Sequence, residues 1–223
     1  MMAANPELLK TAGYFSGLDA EGLAEVSRLV FEKRLPAGET LMWEGENDKS
    51  LYFVISGLLK LFATSAEGRD FIVRLVYGGD SLNDDTVFAD GPNLLNAVTM
   101  SPVVLYGLRP ADLERVLRDH PEVRAGVTGV LARRQRYLVR LATGLVFQNV
   151  TARLARLLLE REKLAPGGAG EPKMTQQEMA AMIGTVRELV SRSLRELEAM
   201  GAVRLQHNRI VITDREKLLE LGE

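Results

Sequence analysis

In the stretch GTVRELVSRSLREL, residues 184–197, charged and apolar side chains separate at helical spacing. Val190, Leu194 and Leu197 recur on one side of a helix, while Glu188, Ser191, Arg192 and Arg195 share another stripe with Arg187 beside it. An arginine donates two bonds to guanine O6 and N7, a glutamate accepts from the cytosine amino group, and each such contact discriminates by about 1–3 kcal/mol. Taken alone, the stripe is equally a solvated face with i,i+4 pairs such as Glu188 with Arg192. Its neighbours decide between the two.

Upstream, MTQQEMAAMIG opens with Thr175 and Glu178 in T-x-x-E spacing, a capping box, and Met179, Ala180 and Ile183 supply an apolar face. Free N–H groups at a helix start suit a phosphate, which makes Thr175, Gln176 and Gln177, together with Arg195, phosphate-contact residues. Downstream, GAVRLQHNRIVITD reads as a hairpin turning at or near His207-Asn208. A capped helix, a tight turn through Gly184, a second helix and a hairpin make a winged helix-turn-helix. The second helix of such a motif lies in the DNA major groove with its first residues facing base edges. Arg187, Glu188, Ser191 and Arg192 are therefore the expected base readers, and double-stranded DNA the expected partner. Residues 148–223 are near charge balance, so the attraction to DNA comes from the local arginine face.

Other chemistry is excluded by composition. Cysteine is absent, which removes disulfides, thiolate zinc sites, cysteine-ligated iron–sulfur clusters and thiol redox sensing. The two histidines, His120 and His207, are far apart in sequence and do not make a site of several imidazoles. A metal-dependent jelly-roll enzyme with a DNA-binding tail is the competing class, but residues 31–108 contain no histidine, so no enzymatic activity is expected. The net charge of −2 argues against non-specific coating of nucleic acid and leaves room for a local basic face. No apolar run reaches the roughly 18 residues of a membrane span. The start MMAANPELLKTAG lacks the charged and apolar regions of a signal peptide, so the cytoplasm is the expected compartment.

The reading stripe needs elements to carry it, and the chain supplies an α+β organisation. Residues 6–30 read as short helices broken at Gly13 and Gly17, then an Asp19-capped helix with Gly22, Leu23, Val26, Leu29 and Val30. From 31 to 108, short apolar runs (TLMWEG, SLYFVISG, LLKLFATSAEG, DFIVRLVYGG, NAVTMSPVVLYGL) alternate with glycine-centred turns, the texture of an antiparallel β-roll or jelly roll. Met42, Met100 and Tyr106 are expected in the core of its strands. Residues 110–119 form a short helix with Pro110 in its first turn. Residues 121–147 form a long one in which Val127, Leu131, Leu138, Leu141 and Leu145 follow a 4–3 repeat, with Arg134 at the missing position. Such a seam packs against a second copy as a coiled coil, or else lies on the protein's own sheet. FQNVTARLARLLLE starts a further helix with Asn149 or Thr151 as N-cap, and APGGAGEPK (165–173) is a loop. Three parts result: a β-roll with flanking helices over 1–120, a long dimerisation helix over 121–147, and the winged helix-turn-helix over 148–223.

This order, with LPAGETLMWEGENDKSLYFVISGLLKL and TQQEMAAMIGTVRELVSR as its most specific pieces, resembles the CRP/FNR family of bacterial transcription regulators over nearly the whole chain. The resemblance implies a β-roll sensor of cyclic-nucleotide-binding type, a long-helix homodimer, a palindromic DNA site and RNA polymerase as a further partner. Arg187, Glu188 and Arg192 match the R-E-x-x-x-R readers of cyclic-AMP-receptor-like members, and Glu188, Ser191 and Arg192 match the E-x-x-S-R readers of FNR-like members. A half-site of TGTGA or TTGA(T/C) type is implied without a choice between them. Val186 stands where relatives place a Ser or Thr cap, so Thr185 is the expected substitute.

The signal is less legible. In GGDSLNDDTVFADGPNLLNAV (78–98), Asn83-Asp84 stand where cyclic-nucleotide-binding members carry Gly-Glu, and Leu95-Asn96 where they carry Arg-Ser. No arginine lies between Arg74 and Arg109, and a cyclic phosphate would meet Asp80, Asp84, Asp85 and Asp90, so cyclic AMP is disfavoured. A solvated acidic loop accounts for these aspartates without a ligand. Leu138 and Val139 occupy the long-helix positions that hold adenine in relatives. An apolar or planar effector among Asn83, Asp84, Phe88, Leu95, Asn96, Leu138 and Val139 is one expectation, and a site filled by side chains the other. VFADGPN resembles the same loop in nitric-oxide-sensing, haem-associated regulators, which leaves haem open, while His120 before Pro121 reads as a surface or capping residue. An effector-independent DNA-binding protein, with the roll as scaffold, is the remaining alternative.

Overall fold

Glycine-punctuated apolar runs over 31–108 fold into two four-stranded sheets. The computed structural model describes residues 5–164, 174–206 and 209–222. Strands β1 (Phe31–Leu35), β8 (Val103–Leu108), β3 (Leu51–Ser56) and β6 (Ser81–Leu82) form one sheet in that order. Strands β2 (Thr40–Met42), β7 (Asn96–Thr99), β4 (Leu59–Thr64) and β5 (Asp70–Val76) form the other. The β3–β8 pair is antiparallel, with Phe53 opposite Tyr106 and a register shift between Val54 and Ser56. The run 96–108, which reads as one segment, divides into β7 and β8 at a bend over 100–101. Met42 and Tyr106 are buried as expected, whereas Met100 lies in that bend and is half-buried.

Helices flank the sheets. These are α1 (Pro6–Leu9), α2 (Ala20–Ser27), α3 (Asp84–Ala89), α4 (Pro110–Asp119) and α5 (Pro121–Phe147). Asp19 caps α2 by accepting from the Gly22 N–H at 2.9 Å. Tyr14, Phe15 and Phe53 meet at ring-centroid separations of 4.9–6.4 Å and centre a core shared by α1, α2, α4 and the first half of α5. A second core of Leu41, Val54, Leu59, Leu82, Ala97 and Leu105 fills the space between the sheets. Helix α3 falls inside the segment 78–98, which spacing alone presents as an acidic loop.

The C-terminal elements are α6 (Val150–Leu164), α7 (Gln176–Ile183), α8 (Arg187–Ala199), the hairpin of β9 (Val203–Gln206) and β10 (Arg209–Ile212), and α9 (Arg215–Gly222). Asn149, not Thr151, caps α6: its side chain accepts from the Ala152 N–H at 2.8 Å. Leu154, Leu158, Met179, Ala180, Ile183, Val190, Leu194, Leu197, Val203 and Leu218 form one core, to which α9 contributes although nothing in the sequence reading singled it out. The loop 165–173 and the turn His207-Asn208 lie outside the described residues. Two compact units result, Met1–Ala63 with Val73–Tyr137 and Thr64–Ile72 with Leu138–Glu223. The division runs through α5, not at either of its ends.

Candidate nucleic-acid interface

The interface is built on α7 and α8. Thr175 caps α7: its hydroxyl accepts from the Glu178 N–H at 3.1 Å and lies 2.9 Å from the Glu178 carboxylate, which accepts from the Thr175 N–H at 2.6 Å. This is the capping box expected from the spacing. It engages the Thr175 hydroxyl within the chain, while Gln177 is exposed and Gln176 half-buried at the same helix start. Gly184 ends α7 in the left-handed region, φ 64°, and returns its N–H to the Ala180 carbonyl. A Cβ there would stand 2.7 Å from Leu145 Cδ2, so glycine is what admits Leu145 to this turn. Arg153 ties the same turn to the start of α6, its Nε donating to Ile183 O at 2.8 Å and its Nη1 to Gln148 O at 2.6 Å. Burial lowers the pKa of that guanidinium from the ordinary arginine value.

Helix α8 buries Val190, Ser193, Leu194 and Leu197. Arg187, Glu188, Arg192 and Arg195 are exposed and Ser191 is half-buried. The Arg192 side chain is 78% exposed and its Nε lies 3.7 Å from Glu196 Oε1. That pair lies one turn beyond the Glu188–Arg192 pair that spacing alone allows. An exposed pair of this kind contributes about 0.3–0.5 kcal/mol, so it leaves Arg192 free to exchange Glu196 for a base. Val186 is the N-cap of α8 and no side chain caps the helix, so the expected Thr185 cap does not form. The Thr185 N–H instead donates to Ala180 O at 2.9 Å, which directs the residue toward the preceding helix.

Several residues of this face escape a reading from spacing alone. Leu189 is exposed in the first turn of α8 beside the expected readers, an apolar side chain of the kind that suits a thymine methyl group. On the hairpin, Arg204 and Arg209 are exposed, and the Leu205 N–H donates to Glu198 Oε1 at 2.8 Å, tying β9 to α8. Thr151 Oγ1 lies 2.9 Å from Ser193 Oγ and 2.8 Å from Glu196 Oε2, which fixes the inner side of α8 on α6. The hairpin was legible in the sequence, and two arginines on its strands were the available signal for the wing.

In the first unit the segment 78–98 is not the solvated acidic loop expected. Asp85 and Asp90 are exposed, Asp90 accepting from Lys49 Nζ at 2.7 Å, but the Asp84 side chain is only 1% exposed. Its carboxylate accepts from the Tyr14 hydroxyl, from Ser81 Oγ at 2.8 Å and from Arg134 Nη1. Arg134 also donates through Nη2 to Ser81 O at 3.0 Å. The countercharge comes from a helix some 50 residues further on, which no local pattern announces. A side chain at Gly126 would run into the Tyr14 carbonyl, so that glycine lets α5 approach the Tyr14 segment. Burial, and then the Asp84 charge, raise the Tyr14 pKa far above that of a free phenol.

The remaining loop residues are also engaged. Asn83 is left-handed, φ 70°, and its Nδ2 donates to Ser50 O at 2.9 Å and to Asp48 O. Asn96 accepts from the Glu44 N–H at 3.0 Å, Leu95 packs against the inter-sheet core, and Phe88 is exposed. None of Asn83, Asp84, Phe88, Leu95 and Asn96 lines the cavity of about 280 Å³ in this unit. Arg74, Asp80, Ser81, Arg133, Arg134 and Tyr137 line it. His120 is the C-cap of α4, as one of its two expected roles has it, but its ring is largely buried, Nε2 3.1 Å from Glu25 Oε2 and Nδ1 3.6 Å from Glu122 Oε1. Both nitrogens face carboxylates, so it is not an open axial ligand.

Known families match both parts of the chain. The Crp-like helix-turn-helix domain matches residues 152–221 and the cyclic nucleotide-binding domain residues 32–120. The CRP-like cAMP-activated global transcriptional regulator of Mycobacterium tuberculosis is 30% identical over 217 residues, covering 95% of this chain and 97% of its own. The chain belongs to the CRP/FNR family of transcription regulators. The cyclic AMP receptor protein of Thermus thermophilus is likewise 30% identical, over 216 residues that cover 96% of this chain and 98% of its own. Among solved structures, the c-di-GMP-responsive global regulator CLP of Xanthomonas campestris shares the fold with a TM-score of 0.76, over 87% of this chain and 99% of that one, at 22% identity.

In this CRP/FNR chain the residues of the seam read in the sequence divide between covered and exposed positions. Val127 is buried in the core of its own chain and Leu131 packs against that core. Arg134 turns to Asp84, and Leu145 meets the turn at Gly184. Val127 and Leu131 are thus covered within the chain, Leu141 is half-buried, and Leu138 and Leu145 are exposed. A different stripe at 3–4 spacing is exposed along α5: Ala125, Thr128, Ala132, Gln135, Val139, Ala142 and Val146. It lies about a quarter-turn round the helix from the expected one. Val139 is 56% and Val146 72% exposed, an arrangement of apolar residues that leaves the helix unsatisfied alone. Among the described residues no helix is long and apolar enough to cross a membrane.

Proposed function

We propose that this CRP/FNR regulator acts as a homodimer that reads a palindromic site of TGTGA or TTGA(T/C) type, with Arg187, Glu188, Ser191 and Arg192 on base edges. Gln176, Gln177, Arg195 and the wing arginines Arg204 and Arg209 contact phosphates. The observation that carries this reading is the row of exposed arginines on α8, anchored from behind by Val190, Leu194 and Leu197. Dimerisation uses the exposed stripe Ala125–Val146 of α5, with Leu138 beside it. The working division is a sensor over 1–120, the helix 121–147 and the DNA-binding part 148–223, with RNA polymerase as the partner that converts DNA occupancy into regulation.

Effector control through the β-roll is part of the proposal. The Mycobacterium tuberculosis relative is by name cAMP-activated, yet the segment 75–108 here offers a cyclic phosphate no arginine. Selection of bound sequences from a random duplex library tests the DNA reading. Wild type is expected to enrich a two-fold symmetric site, and Arg192→Ala to lose about 1–3 kcal/mol of specific binding and to relax one base position per half-site. An Arg192→Ala protein that selects the same site with the same affinity would overturn the assignment of α8.

A further inference from the structure

The cavity of the first unit carries a charge pattern opposite to that of the aspartate-rich segment beside it. Three guanidiniums, Arg74, Arg133 and Arg134, face a space of about 280 Å³, at the small end of small-molecule pockets. Two carboxylates offset them unequally. Asp84 is fully engaged by Arg134, Tyr14 and Ser81. Asp80 stands off Arg74 at 3.9 Å and accepts from the Tyr77 N–H at 3.0 Å. Arg133 is exposed and takes part in no hydrogen bond or ion pair among the described residues, so the lining keeps one cation in excess. Gly13 makes room for it, since a Cβ there would come within 3.1 Å of Arg133 Nη2.

Arg74 is the second unusual member. Its side chain is mostly buried, and Nη2 donates to Ser81 O at 2.7 Å, the carbonyl that also accepts from Arg134. Two guanidiniums therefore converge on one carbonyl oxygen with a third alongside. Burial and the Arg134 charge both lower the Arg74 pKa from the ordinary arginine value. Like charges held together around one recess are relieved by an anion, and the planar fork of arginine matches the oxygens of a carboxylate or phosphoryl group.

We propose that this cavity binds a small molecule with a compact oxyanion head, held by Arg133 and Arg74 against the Arg134–Asp84 pair. It would be the effector site of the regulator, and in that respect it rests on the effector-controlled reading above. An occupant pulls on Arg134 and Arg74, both bonded to Ser81, and so bears on the residues that hold Asp84 and the start of α3.

Isothermal titration of the full-length protein tests this, using citrate and inorganic phosphate as separate probes and sodium chloride at matched ionic strength as the blank. At least one probe is expected to bind saturably, one per chain; citrate alone marks a carboxylate ligand and phosphate alone a phosphoryl ligand. Arg133→Ala is expected to weaken that binding about tenfold or more, as the loss of a charge-assisted bond should. Arg34→Ala, a change of an exposed arginine paired with Glu32 outside the cavity, is expected to leave binding unaltered. No saturable heat with either probe, or equal binding by Arg133→Ala, overturns the site. DNA selection by the same proteins is measured separately, so failure here leaves the reading of α8 standing and failure there leaves the cavity result standing.

Discussion

Replacing Arg134 by methionine removes the only cation that touches the Asp84 carboxylate among the described residues, while keeping most of the apolar stem. Asp84 is 1% exposed and Arg134 19%, so water cannot take over the lost countercharge without local opening. Breaking a buried pair from one side costs about 3–5 kcal/mol, because the remaining charge stays buried. Here the Tyr14 and Ser81 hydroxyls still donate to Asp84, which puts the expectation at the low end, about 3 kcal/mol. For a chain of this size, roughly 2–4 °C of midpoint per kcal/mol gives a fall of about 6–12 °C. The only tryptophan, Trp43, follows β2 in the first unit, so its fluorescence during urea or thermal unfolding reports that unit selectively. Adding Asp84→Asn should make the double variant lose less than the two single losses combined, because no buried charge remains to be compensated. A loss below about 1 kcal/mol for Arg134→Met, or strict additivity with Asp84→Asn, would refute the buried pair as a structural element.

Val139→Asp puts a charge on the exposed stripe of α5 and is expected to yield folded monomers at micromolar concentration by size-exclusion light scattering. Leu131→Asp, directed into the core, is expected to lower the Trp43 unfolding midpoint instead, and the reverse pattern would return the dimer seam to the residues first read from the sequence. Gly184→Val combines a left-handed backbone, worth about 1–2 kcal/mol, with a collision at Leu145. It should reduce DNA binding with the Trp43 midpoint unchanged, and wild-type DNA affinity in that variant would show the turn to be more yielding than its geometry indicates.

Local periodicity determined most of this protein. The capping box at Thr175, the left-handed Gly184 and the alternation of Val190, Leu194 and Leu197 with exposed arginines are all properties of residues within one or two helical turns. Spacing therefore reveals the reading helix, and glycine turns reveal the β-roll. Tertiary structure decided wherever a residue's partner is remote in sequence. Asp84 and Arg134 are 50 positions apart, so a loop that is acidic on paper holds a buried, compensated carboxylate, and a basic cavity opens beside it. The long helix makes the same point. Its leucine repeat is a valid coiled-coil pattern, yet packing inside the chain covers Val127 and Leu131 and leaves Val139 and Val146 outside. A helical repeat defines a stripe; only the fold says which stripe its own domain has already covered.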